Sequence, residues 1–230
     1  MGVAANEAHD SRTAVQHFQA ALEQDSTSYE ANWRAALTLL DLGEQLPGAR
    51  KNPARDSLYA EAERHATRAV AADSGGAEGH FALAAAVGRA SLGLGQKARI
   101  RRAAVIRREA LRTIELDPLH DGAYHILGRW NAEIMRISGL SRFFAKNFLG
   151  AGIFGQASWK RAVANMEKAV ELDSGRIYHR LELARIYADR KRTADANTQL
   201  HAVELLPVRE VMDTVYKREA GELRRRLAKR

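Results

Sequence analysis

The sequence contains no cysteine, which excludes disulfide bridges, thiolate-bound metals and a cysteine nucleophile. Only four of its 230 residues are proline, so few positions would interrupt a helix. No stretch reaches the 18 or so uninterrupted apolar residues that a transmembrane helix needs. The closest, Ile134 to Phe154, includes Arg136, Arg142 and Lys146. These absences favour an all-helical chain without a membrane-spanning segment.

The sequence motifs of common enzyme classes are absent as well. The eight histidines show no metal-binding spacing such as H-E-x-x-H, and neither a nucleophile elbow nor a phosphate-binding glycine loop occurs. We therefore expect a protein that is not an enzyme and that binds no cofactor or metal. The N-terminal sequence MGVAANEAHDSR has no signal-peptide pattern. The compartment stays open between the cytoplasm and, if a leader has been removed, the periplasm.

One phrase occurs five times along the chain. Each copy begins with a small or apolar residue, has an apolar residue four positions later, and has a further small or apolar residue three positions after that. In four of the copies an Asp-Ser or Asp-Pro stop comes next. The copies begin at Ala14, Ala62, Ile106, Ala162 and Ala196. Self-similarity of this kind indicates a helical repeat array, in which small residues let neighbouring helices approach closely.

The segments between the copies predict the first helix of each repeat. They are Tyr29 to Leu42, Glu78 to Arg89, Gly122 to Glu133 and Ile177 to Arg190. We predict an all-α, tetratricopeptide-like α-solenoid, a right-handed superhelix of antiparallel helix pairs, as a single domain over residues 1–230. Residues 1–26 form an incomplete first repeat, 27–210 form four repeats with inserts, and 211–230 form a capping helix. The inserts fall between the first and second helices of three repeats. They could form a rim, a lid or a membrane contact, and the sequence does not decide between these.

The middle of the chain carries a more specific signature. It runs from Ile114-Glu115-Leu116-Asp117-Pro118 through His125-Ile126-Leu127-Gly128-Arg129-Trp130 to Leu140-Ser141, Ala145-Lys146, Phe148-Leu149-Gly150 and the Ala162 helix. This order resembles the regulator of microtubule dynamics family, which includes a mitochondrial outer-membrane tether known as a tyrosine-phosphatase-interacting protein. The resemblance implies a non-catalytic helical-repeat domain, to which phospholipid binding or transfer is attributed in eukaryotic members.

The net charge is +8, and arginine supplies 28 of the 36 basic residues. Such a surface favours an anionic partner, either an acidic peptide or an acidic phospholipid. We do not expect nucleic acid, because the arginine-rich run from Lys97 to Arg112 lacks interleaved aromatic residues for base stacking.

Six residues are candidates for the concave groove because they fall at its positions in the repeat frame: Arg34, Phe81, Arg89, His125, Arg129 and Arg185. Arg129 and Arg185 hold equivalent places in adjacent repeats, and two guanidiniums in one groove suit a carboxylate or phosphate. The alternative is intramolecular pairing, of Arg129 with Glu133 and of Arg185 with Asp189.

The insert after the fourth repeat's first helix reads as an amphipathic helix with a basic polar face. Leu140, Arg142, Phe144, Lys146 and Phe148 would act as a lid or a membrane contact. In the alternative, the same apolar side packs on the edge of the solenoid and completes the core.

Two functions remain in view. The first is a scaffold that recognises a peptide or helical segment of a partner protein in its concave groove. The alternative is a phospholipid-binding or lipid-transfer module with an apolar groove and a basic mouth. A continuous apolar groove beside Arg129 and Arg185 would favour lipid, whereas a shallow groove of mixed polarity would favour peptide.

Overall fold

A computed structural model of the chain describes residues 10–46, 52–91, 93–137 and 152–229. Over these residues it contains ten α-helices, one 3₁₀ helix and no strand, which confirms the all-α prediction. The helices are α1 (Ser11–Gln24), α2 (Tyr29–Gln45), α3 (Pro53–Ala72), α4 (Ala77–Ala90), α5 (Gln96–Leu116), α6 (Asp121–Arg136), α7 (Trp159–Leu172), α8 (Ile177–Asp189), α9 (Thr193–Leu205) and α10 (Asp213–Leu227). The 3₁₀ helix, Gly152–Gln156, precedes α7.

The chain divides into two compact units, Met1–Pro118 and Leu119–Arg230. In the first unit α2 packs on α3 and α4 packs on α5; in the second, α6 packs on α7 and α8 packs on α9. These are the helix pairs of a tetratricopeptide-like array. Helix α10 packs on both α8 and α9, as expected of a capping helix. The single-domain organisation over residues 1–230 stays a prediction.

The repeated aspartate after α1, α3 and α7 stops the helix by a hydrogen bond to the chain just beyond it. The carboxylates of Asp25, Asp73 and Asp173 accept from the backbone N–H two residues later at 2.8–3.0 Å. Each of these aspartates already has non-helical backbone angles. Such Asx turns compete with helical geometry, which explains the stop in the repeated phrase.

The small residues of the phrase lie where helices touch. Ala14, Ala62, Ala162 and Ala196 are completely buried. Gly128 is a close contact between helices of the second unit, because a Cβ there would lie 3.1 Å from the backbone nitrogen of Met166. A larger residue at this position would require α6 and α7 to shift apart.

The inserts of the second and third repeats lengthen their second helices. Helices α3 and α5 have 20 and 21 residues, against 14 in α7 and 13 in α9. Most of the fourth repeat's insert falls outside the described residues, and with it the proposed lid residues Leu140, Arg142, Phe144, Lys146 and Phe148. Among the helices that the structure describes, none has the length and apolar character to cross a membrane.

Candidate ligand-binding face

The first helices of the second unit, α6 and α8, lie side by side with the capping helix α10, and polar side chains link all three. We call the surface formed by Arg129, Tyr178, Glu182, Arg185 and Glu219 the first-helix face. Arg129 comes from α6, Tyr178, Glu182 and Arg185 from α8, and Glu219 from α10. Residues of three helices thus converge on one patch within a single compact unit.

Glu182 is the centre of this patch and is buried, with 2% of its surface exposed. Arg185 donates from Nη1 to its Oε1 at 2.5 Å, and Arg129 Nε lies 3.8 Å from its Oε2. Burial alone would raise the pKa of the Glu182 carboxyl, but the charges of Arg129 and Arg185 outweigh it and lower that pKa. Glu182 is therefore ionised at neutral pH and anchors two guanidiniums.

The outer parts of both guanidiniums are also held. Arg185 donates from Nη2 to Glu219 at 2.6 Å, and Arg129 donates to the hydroxyl of Tyr178. The ring of Tyr178 stacks on that of Tyr216, with centroids 4.4 Å apart and an angle of 11° between the planes. The two arginines consequently have fixed positions although 31% of each side chain remains exposed.

A chain of buried hydrogen bonds links the N-terminal halves of α6 and α8. The Nδ1 atoms of His125 and His179 lie 2.8 Å apart, and His179 Nε2 lies 2.7 Å from the carboxylate of Asp121. Arg176 donates to the same carboxylate at 3.0 Å. Burial lowers the pKa of His179; burial would raise that of Asp121, but the hydrogen bond from His179 and the charge of Arg176 lower it instead. A neutral His179 therefore donates through Nε2 to Asp121 and accepts at Nδ1 from His125.

The family model of regulator of microtubule dynamics proteins 1–3 matches residues 3–228. The chain belongs to the regulator of microtubule dynamics family. The sequence-based resemblance is thereby confirmed. No curated protein matches the chain.

Solved structures confirm the tetratricopeptide-like fold of this family member. TTC0263, a thermophilic TPR protein of Thermus thermophilus, superposes with a TM-score of 0.68 at 18% identity, over 96% of this chain and 95% of that one. A monomeric mutant of IFIT1 with Gppp-AAAA gives a TM-score of 0.50 at 15% identity, over 94% of this chain and 55% of that one. At such identities the likeness concerns the fold alone.

The structure brings Arg129 and Arg185 together, as their equivalent frame positions predict, but on a carboxylate of the protein itself. Both arginines are thus paired within the protein, but their partners are not the i+4 residues Glu133 and Asp189 that helix spacing suggests. Arg185 pairs with Glu182 and Glu219, while Asp189 accepts from Arg136 at 2.9 Å. His125 lies in the interior beneath the face, with 6% of its surface exposed.

The remaining candidates lie in the first unit and are described separately. Arg34 pairs with Glu30 at 2.8 Å and lies over the ring of Trp33, 4.4 Å from its centroid. Arg89 on α4 pairs with Glu44 on α2, and Phe81 is partly buried on α4. Arg34, like Arg129 and Arg185, therefore has a partner within its own unit.

Sequence reasoning missed Glu182, Tyr178 and Glu219. The one available signal was a glutamate between Leu181 and Leu183, both of which are buried. A charged residue between two core positions of a helix needs a partner of opposite charge. For Glu182 these partners are Arg185, one turn further along α8, and Arg129 on the neighbouring α6. Within the described residues, no group of three histidines or carboxylates is placed to hold a metal ion.

Proposed function

We propose that this member of the regulator of microtubule dynamics family is a scaffold that binds a peptide or helical segment of a partner protein on the first-helix face. The tetratricopeptide-like fold is one that protein-binding scaffolds use. The observation that carries the proposal is that Arg129 and Arg185, from successive first helices, are fixed by one buried carboxylate while 31% of each side chain stays exposed.

Guanidiniums that ion pairs already hold and that stay 31% exposed favour binding, because little side-chain entropy is lost when a partner docks. Glu219 and Tyr178 place a partly exposed carboxylate and a phenol hydroxyl beside them. Such a patch offers guanidinium donors together with carboxylate and hydroxyl acceptors. It suits a polypeptide segment with mixed polar groups better than a ligand of a single charge.

The lipid alternative requires an apolar lining deep enough for acyl chains. The surroundings of Arg129 and Arg185 are instead polar and charge-paired, through Glu182 and Glu219. This polarity supports a polypeptide ligand. A phospholipid is therefore kept as an outcome of the test.

A peptide selection tests the proposal directly. A random peptide library displayed on phage is selected against the full chain, and the enriched peptides are measured by fluorescence polarisation. We expect the variants Arg129→Met and Arg185→Met to weaken these peptides by about tenfold or more, as for a residue near the centre of an interface. Arg12→Met, an exposed arginine of the first unit, is the control and should leave the affinity unchanged.

Two results would contradict the proposal. In the first, the enriched peptides bind both variants and wild type equally. In the second, native mass spectrometry of the purified protein shows a phospholipid of defined stoichiometry that Arg129→Met removes. Circular dichroism of each variant separates loss of binding from loss of the fold.

A further inference from the structure

The net charge of the protein resides in its second unit. Residues 1–118 contain 15 lysines and arginines and 15 carboxylates, whereas residues 119–230 contain 21 and 13. The difference of 21 minus 13 accounts for the whole net charge of +8. A composition bias that acted on the entire chain would not separate the charge in this way.

Within the second unit, three helices end and two begin at the same edge. Arg136 in the last turn of α6 pairs with Asp189, the last residue of α8. The guanidinium of Arg190 lies over the ring of Trp159, the first residue of α7, at 5.7 Å. Ala228, after the end of α10, lines a surface depression together with Ala194 at the start of α9. The ends of α6, α8 and α10 thus meet the starts of α7 and α9.

This edge is strongly basic. Its terminal turns and the α8–α9 corner hold ten cations and, in the described residues, three carboxylates (Glu133, Asp189 and Asp195). A fourth carboxylate, Glu222, lies just before the last turn of α10 and lines a depression with Arg225, Arg226 and Lys229. The cations, which we call the basic edge, are Arg136, Lys160, Arg161, Arg190, Lys191, Arg192, Arg224, Arg225, Arg226 and Lys229. The opposite edge has the reverse balance. Its four cations (Arg176, Arg180, Arg209 and Lys217) face six carboxylates, which are Asp121, Glu171, Asp173, Glu204, Glu210 and Asp213. Of these carboxylates, Glu204 also pairs with Arg224 of the basic edge.

Two features of the basic edge oppose stability. The first turn of α7 contains Lys160 and Arg161 and no acidic residue, although the positive end of a helix dipole favours carboxylates. Lys191 has φ of 58°, a left-handed conformation that favours glycine. Residues retained against a local cost are candidates for a role in function.

We propose that the basic edge binds an acidic polypeptide segment, a run of aspartates and glutamates, at a surface distinct from the first-helix face. Charge complementarity selects the sign of the partner. Nucleic acid is less suitable, because the rings of Trp159 and Tyr187 are already covered by Arg190 and Arg192. A membrane surface is less suitable too, since the exposed large apolar side chains described in this unit, Leu119, Leu205 and Val208, lie at the opposite edge.

The test uses the full chain and a fluorescein-labelled peptide of twelve glutamates, with a peptide of twelve glutamines as the neutral control. We expect the glutamate peptide to bind and to weaken with added salt, as screened charges require. The triple variant Arg225→Gln, Arg226→Gln, Lys229→Gln should lose about tenfold in affinity. The matched control Arg64→Gln, Arg68→Gln, Arg101→Gln removes the same charge from exposed positions of the first unit and should lose much less.

Lys191→Gly supplies a second, independent readout. Glycine relieves the left-handed conformation, so the melting temperature should rise while the affinity for the glutamate peptide falls. A variant that is more stable and yet binds less cannot owe its loss to unfolding. Arg129→Met should leave this binding unchanged, which separates failure here from failure of the proposed peptide site.

Four outcomes would overturn the proposal. The triple variant and its control lose equal affinity, so that binding is only diffuse attraction. Lys191→Gly is more stable without any change in binding. A twelve-nucleotide oligothymidylate binds about tenfold more tightly than the glutamate peptide, which would favour nucleic acid. Vesicles containing phosphatidylserine bind the protein while the peptide does not, which would favour a membrane.

Discussion

His125 on α6 and His179 on α8 face each other with their Nδ1 atoms 2.8 Å apart. One proton can lie between these atoms, but two cannot. His179 also contacts the carboxylate of Asp121 through Nε2, at 2.7 Å. The packing of α6 against α8 at this point therefore depends on a defined protonation state.

Acid should destabilise the protein before its carboxylates titrate. Burial lowers the pKa of His179, and of His65 in the first unit, below the ordinary value of 6.5. The unfolded chain then binds more protons than the folded one, so stability is complete above pH 6.5 and falls as the pH drops through that value. Each histidine contributes at most about 1.4 kcal/mol per pH unit. Urea unfolding followed from pH 8 to pH 5 measures the slope.

The variant His179→Gln should reduce the dependence of the free energy of unfolding on pH. The variant His201→Gln, at an exposed position of α9, should leave this dependence unchanged. A free energy of unfolding that stays constant from pH 7.5 to pH 5.5 would contradict the prediction. The lowered pKa values of Asp121 and Glu182 act in a separate pH window, because their stabilisation is lost as the pH falls through the ordinary carboxyl range and below it.

Removal of the central charge of the first-helix face should be costly. Glu182→Gln leaves Arg129 and Arg185 close together without the buried carboxylate that neutralises them. We expect a loss of about 2–4 kcal/mol in the free energy of unfolding, because removing one partner of a buried ion pair leaves the other charge uncompensated. Glu30→Gln breaks the exposed pair with Arg34 and should cost less than about 1 kcal/mol. Equal losses for the two variants, measured by chemical unfolding, would show that Glu182 has no special role.

The repeated phrase predicted the helix pairs because its small residues and aspartate stops act locally. An alanine at a helix contact and an Asx turn at a helix end depend on a few neighbouring residues. The first helix predicted from Gly122 to Glu133 accordingly lies within α6, Asp121–Arg136.

The charge pairs of the candidate face could not be predicted in the same way. Arg185 has an acidic residue three positions before it, Glu182, and one four positions after it, Asp189. Helix spacing allows either pair, and burial of Glu182 decides between them. The position of Glu219 depends on how α10 packs on α8, which is a tertiary contact without a local signal.

Glycine at position 128 should be required for the packing of α6 on α7. In Gly128→Ala the added Cβ would lie 2.9 Å from Met166 Cε and 3.1 Å from the Met166 backbone nitrogen. We expect a destabilisation of about 1–3 kcal/mol, as for overpacked cores. Gly88→Ala is the matched control, because a Cβ there meets only Ile106 Cδ1, at 4.0 Å. Alanine is the better helix former, so this control should be neutral or stabilising by up to about 1 kcal/mol. Thermal unfolding that ranks the two variants in the opposite order would contradict this account of the interface.

Glu219 should compete with any carboxylate that binds at Arg185. Its side chain is 37% exposed and accepts from Arg185 Nη2 at 2.6 Å, the place that an acidic group of a partner would take. Glu219→Gln keeps the shape of the side chain but removes its charge, so Arg185 would be less fully neutralised before binding. We expect only a small loss of stability, below about 1 kcal/mol for so exposed a pair. Peptides with a carboxylate that pairs with Arg185 should bind Glu219→Gln about threefold to tenfold more tightly than wild type, because one competing charge is gone. Fluorescence polarisation with peptides selected on the first-helix face measures the change, and their carboxamide analogues should gain nothing. A gain of equal size for acidic and carboxamide peptides would place the effect elsewhere than at Arg185.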